Sequence, residues 1–138
     1  MLTRRETIAL GAGAAAAATL PLGAFAATVD EATAAFTGGA AVAEGGVTIT
    51  APEIAENGNT VPVSISAPGA TEITLLAAGN PQAEVATFRF GPGAGAALVA
   101  TRIRLGRTQD IIAIAKMADG SFTSARVEVK VTIGGCGG

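Results

Sequence analysis

The stretch VEVKVTI, residues 127–133, alternates apolar and polar side chains without a break, and the fold follows from it. Successive side chains of a strand point to opposite faces, so Val127, Val129, Val131 and Ile133 share one side, with Glu128, Lys130 and Thr132 on the other. Upstream, MADGSF at 117–122 contains Asp119-Gly120, which suits a tight type I′ hairpin turn. Before it, TQDIIAIAKM at 108–117 is a strand that is apolar on both faces from Ile111 to Met117. Such a strand is either central in the fold or covers a partner-binding surface, and it is our expected subunit contact. The same period of two runs through residues 60–66, 71–79, 83–90 and 97–105, separated by turn clusters such as GNPQ, FGPGAGA and LGRT. In the first of these, Val61, Val63 and Ile65 share a face, and Pro62 makes the segment an edge strand or a strand start. Residues 30–36, DEATAAF, form two turns of helix that Gly38-Gly39 would stop. The expected fold is therefore all-β: an immunoglobulin-like antiparallel β-sandwich with a short N-terminal helix.

A chain of 138 residues fits one domain. Hydrophobic residues make up 49% and aromatics 4%, with no Trp or Tyr, so the core must be built from Val, Ile, Leu and Ala. The formal charge is -2, and becomes -3 once Arg4, Arg5 and Glu6 are set aside with the leader described below. That mildly acidic body argues against nucleic acid, whose phosphates require a basic footprint. The absence of histidine removes the commonest general base and the commonest metal ligand together, and rules out Ser-His-Asp and Cys-His catalysis. No metal and no cofactor is expected.

The terminal strand runs into GGCGG, residues 134–138, which holds the only cysteine, Cys136. Gly134, Gly135, Gly137 and Gly138 give this tail the widest backbone freedom and the smallest cross-section available, so it reads as a flexible arm. Three residues beyond Ile133, at ~3.3 to 3.6 Å each, allow the thiol to stand roughly 10 Å off the domain. A thiol on a thin arm can enter a narrow cleft of another protein. A prenylation signal is excluded, because Cys136 is third from the end and the a-a-X residues are missing.

At the other end, residues 1–26 read as an export signal: a charged n-region, a weakly apolar stretch from Ile8 to Leu22, and the small-residue site Ala24-Phe25-Ala26. Cleavage after Ala26 would leave residues 27–133 as the sandwich and 134–138 as the arm. The pair Arg4-Arg5 points to the twin-arginine type, which exports folded proteins, although Thr7 stands where that type usually has Phe. A membrane anchor would need roughly 20 strongly apolar residues, and Gly11, Gly13 and the alanine run fall short. The expected location is the periplasm. An unpaired cysteine in that oxidising compartment is reactive or intermolecular rather than structural.

Other motifs carry less. GPGAGA at 91–96 has Pro92 and no helix after it, and so is a hairpin loop rather than a dinucleotide-binding turn. Arg102 and Arg104 share a strand face and Arg107 lies in the next turn; they form a solvated face or attract an anionic partner. PEIAENGNTVPV at 52–63 is rich in oxygen donors but lacks the spacing of an EF-hand loop, and Asn57-Gly58 marks a turn.

APEIAENGNTVPVSI at 51–65, TRIRL at 101–105, TQDIIAIAKMADGSF at 108–122 and VEVKVTIGGCGG at 127–138 together resemble the SoxY family, the sulfur-carrier subunits of the bacterial thiosulfate-oxidising system. The resemblance implies a sandwich paired with a companion subunit, SoxZ, and a substrate held covalently on Cys136. It implies that haem-containing SoxAX joins thiosulfate oxidatively to the thiol and that SoxB hydrolyses the terminal sulfonate to sulfate. The remaining sulfane sulfur is then oxidised by a dehydrogenase or passed elsewhere, and the carrier catalyses none of these steps. The tail's own chemistry agrees with such a division. The nearest cation, Lys130, is on the strand, so the charge that activates the thiolate is expected from partner clefts. Two other readings stand beside this one: a carrier of sulfur as a terminal-glycine thiocarboxylate, and an adhesive sandwich whose Cys136 makes an intermolecular disulfide.

Overall fold

A computed structural model describes residues 28–133; Arg4, Arg5 and the rest of the expected leader, and the arm from Gly134 to Gly138 with Cys136, lie outside the described residues. One helix and nine strands follow in order: α1 (Val29–Thr37), β1 (Val42–Glu44), β2 (Thr48–Thr50), β3 (Ile54–Ala55), β4 (Val61–Ser66), β5 (Ala70–Ala77), β6 (Glu84–Arg89), β7 (Leu98–Ile103), β8 (Gln109–Met117) and β9 (Phe122–Val131). They build two sheets. The larger has the order β1-β9-β8-β5-β6, with β3 also beside β9, and the smaller is β2-β4-β7. The expected immunoglobulin-like sandwich is what forms, antiparallel in all of its long strands, while the short β1 and β3 run parallel to β9.

The period-two patterns turn into the core between the sheets. Val61, Val63 and Ile65 of β4 meet Ile73 and Leu75 of β5, Ile111, Ala113 and Ala115 of β8, and Val129 of β9. Strand β8 is central, between β5 and β9, which settles why it is apolar on both faces. Its second face, Ile112 and Ile114, packs with Leu76 and Phe122 under Ala32 of α1. Phe36 meets Phe122 edge to face, with ring centres 5.7 Å apart. The subunit contact expected at Ile111 to Met117 is therefore overturned: the helix and the second sheet bury residues 111–115, and only Lys116 and Met117 keep partial exposure.

Helix α1 is bounded more sharply than its composition alone suggests. Thr28 is the N-cap, its side chain accepting from the Glu31 N–H while the Glu31 carboxylate accepts from the Thr28 N–H. Gly38 closes the helix at φ 66°, in the left-handed region, and donates to Ala34 O at 2.8 Å.

One local reading is corrected. The β8–β9 hairpin exists, but no non-glycine residue among those described has positive φ, so Asp119-Gly120 does not form a type I′ turn. Gly120, at φ 87°, donates to Met117 O instead, and Met117 N–H bonds Ser121 O, giving a three-residue loop with its glycine in the left-handed position. Strand β4 begins at Val61 with Pro62 second, as the strand-start reading expects. It pairs with β7 along its length and with β2 from Ser64 to Ser66, so Pro62 falls in the half with one neighbour, where no ladder donor is needed.

Candidate functional site

The expected site residues, Cys136 and the glycines around it, follow directly on Ile133, so the described part of the site is the root of the arm. That root is built by β9 and by segments from three other places in the chain. On one flank β8 pairs with β9 as far as Gln109 opposite Val129. Beyond that point the Val131 N–H donates to Thr108 Oγ1 at 2.9 Å. On the other flank β3 runs parallel, Ile54 beside Lys130 and Ala55 beside Val131. Lys130 N–H bonds Glu53 O at 3.0 Å, Thr132 N–H bonds Ala55 O at 3.1 Å, and Gly58 N–H bonds Ile133 O at 2.8 Å. Thr132 Oγ1 also donates to Glu56 O at 3.2 Å.

The segment expected to be a plain turn, and weighed as an oxygen-rich cation loop, thus contains a two-residue strand and the bond that holds the end of the sandwich. Its turn character survives at residues 57–60, where Asn59 N–H bonds Asn57 Oδ1 and Thr60 N–H bonds Asn57 O. Sequence reasoning missed Thr108, Thr132 and Gly58 as members of the root. A two-residue strand is too short to show a period, and only the Asn57-Gly58 pair signalled that the chain reverses there.

The loops around the same end are tied by a buried amide. Gln109 accepts from Gly79 N–H at 2.8 Å and donates to Asn80 Oδ1 and Arg107 O, each at 2.9 Å. Asn80 in turn donates to Arg104 O and accepts from Gly106 N–H. Arg102, Arg104 and Arg107 are all exposed, as the solvated-face reading expects, and Arg107 Nε donates to Gly79 O at 3.1 Å. Among the described residues, no group of three His, Cys, Asp or Glu lies close enough to hold a metal ion, and no helix is long and apolar enough to cross a membrane.

Comparison with known proteins bears on what leaves this root. The family model for the sulfur oxidation protein SoxY matches residues 33–136, most of the chain, and its match ends on the lone cysteine. The chain belongs to the SoxY family. Among solved structures, the sulfur carrier protein SoxY from Chlorobium limicola f thiosulfatophilum is 37% identical, with a TM-score of 0.68, over 77% of this chain and 97% of that one. A superoxide reductase (neelaredoxin) from Ignicoccus hospitalis is 22% identical with a TM-score of 0.54, over 81% of this chain and 99% of its own. A putative superoxide reductase from Thermotoga maritima is 20% identical with a TM-score of 0.53, over 81% and 98%. Those two are similar to this chain in fold alone. No curated protein sequence matches.

Proposed function

We propose that this SoxY-family chain is a non-catalytic carrier of sulfur intermediates in thiosulfate oxidation, with Cys136 as the point of covalent attachment. The observation that carries the reading is the family match running as far as residue 136, where a single thiol stands between two glycine pairs. In the first step the Cys136 thiol and thiosulfate form a new S–S bond. One proton leaves the thiol and two electrons leave with the haem-containing partner enzyme as the oxidant, leaving the thiosulfonate Cys–S–S–SO3⁻. In the second, water attacks the terminal sulfur, sulfate departs with two protons released, and Cys136 keeps the sulfane sulfur as a persulfide anion. The carrier's task is to present an anionic adduct on a narrow stalk to one enzyme after another; SoxAX, SoxB and a sulfane dehydrogenase are the partners the family implies. The same family reading gives a heterodimer with SoxZ, residues 1–26 as a leader read through Arg4 and Arg5, and work in the periplasm.

Intact mass of the natively exported protein from thiosulfate-fed cells tests this. A chain starting at Ala27, with a reductant-sensitive sulfur adduct on Cys136 that Cys136→Ser abolishes, is the expected result. A disulfide dimer with no such adduct would favour the adhesive reading, and an adduct that survives Cys136→Ser would favour the thiocarboxylate.

A further inference from the structure

We infer that residues 53–58 form a clasp that fixes where the arm begins, with Thr108 and Thr132 as positioning residues; the inference rests on the carrier reading above. Strand β9 ends at Val131, yet the two residues after it are still bonded. Thr132 is held through its N–H by Ala55 and through its hydroxyl by Glu56, and Ile133 through its carbonyl by Gly58. Val131 is held from the opposite flank by the hydroxyl of Thr108, the residue just before β8 begins. The last three residues before Gly134 are thus each secured by a different partner.

Burial explains only part of this arrangement. Ala55 and Val131 pack against the core, whereas Ile54 and Ile133 are 55% and 60% exposed, so at the last residue the hydrogen bonds do the holding. The clasp is itself anchored inward: Ala55 and Gly58 are buried, and Gly58 O accepts from the N–H of Leu105, whose side chain is wholly inside the core. Chain ends are poorly ordered unless something ties them down, and here the tie reaches the residue that precedes the glycines.

The consequence is a defined arm length. From Ile133 the thiol has a reach of roughly 10 Å; with the clasp open the arm would begin at Val131, and five residues would reach roughly 17 Å. The thiol would then spread over a volume several-fold larger, and its effective concentration in a docked partner's cleft would fall by about two- to five-fold. A small reagent in solution would not sense the difference.

The test uses the full exported chain with its companion subunit. Three quantities are read: exchange protection of the Thr132 amide, the rate at which the haem-containing conjugating enzyme loads thiosulfate onto Cys136, and the rate of Cys136 alkylation by iodoacetamide. In T108V/T132V the expected result is lost Thr132 protection, loading slowed two- to five-fold and unchanged alkylation. Inserting two glycines after Ile133 should slow loading equally while Thr132 stays protected, which separates arm length from any loss of fold. Unchanged loading in both variants, or full Thr132 protection in the double variant, would overturn the clasp's role. No adduct on the unaltered protein would instead refute the carrier reading and with it the positioning role, while Thr132 protection would still report whether the clasp exists.

Discussion

Gln109 is the residue on which the arm end of the sandwich depends for its internal polar bonding. It is 7% exposed and makes three bonds, to Gly79, Asn80 and Arg107, that no water can replace without opening the loops. Gln109→Leu should destabilise the protein by about 1–3 kcal/mol in urea unfolding, because the part-buried Gly79 N–H loses its acceptor and Asn80 and Arg107 lose their donor. Gly79 allows the close approach. A Cβ there would lie 2.8 Å from Gln109 Cβ and 3.2 Å from Arg107 Nε, so Gly79→Ala should cost about 1–3 kcal/mol by the same measurement. At the opposite end Asp119 is an exposed residue with a pH signature. Hydrogen bonds from the Ser121 hydroxyl and N–H hold its carboxyl below the ordinary value of 3.8. A folded value lower than the unfolded one contributes stability that is complete above 3.8 and is lost as pH falls through the folded value. The stability difference between the parent and Asp119→Ala should accordingly shrink on acidification below 3.8, and a difference that stayed constant would show that the carboxylate's charge is not what matters.

At the scale of elements, α1 acts as the second lid of the larger sheet. Ile114, 1% exposed, lies between that sheet and the helix, and Ile114→Ala should cost about 2–5 kcal/mol. Thr28→Ala, which removes both the cap and half of its reciprocal pair with Glu31, should cost about 1 kcal/mol in the same urea unfolding. The long strands and this helix were legible in the sequence because each spans several periods or carries its own stop signal. Strands β1, β2 and β3, two or three residues each, were not: their pairing is set by partners far along the chain rather than by a local pattern. The double-sided apolar run in β8 allowed two readings, and only the position of α1, a tertiary fact, decides between them. For the site, Cys136 and its glycines stand out by composition, whereas Thr108, Thr132 and Gly58 are ordinary residue types whose part comes from where the fold brings them.

For the whole molecule, β9 is the piece that joins everything: it pairs with β8 on one side and with both β1 and β3 on the other. Unfolding in denaturant should be a single transition when followed by helix and sheet signals together, and truncation after Ser121 should leave no folded core at all. Nearly all of the contacts β9 makes beyond the hairpin are distant in sequence; Thr123 bonds Gly45, 78 positions away, and Thr132 bonds Ala55, 77 positions away. Such pairings form late and slowly. The earlier strands therefore wait, with the larger sheet lacking an interior member, until β9 has left the ribosome. A chain broken off before or within β9 would lack an interior strand of the larger sheet, and Cys136 with it, and would present itself to the cell as unfolded. Folding thereby doubles as a check on the message: most truncated products would never close the sheet and would be left to proteolysis.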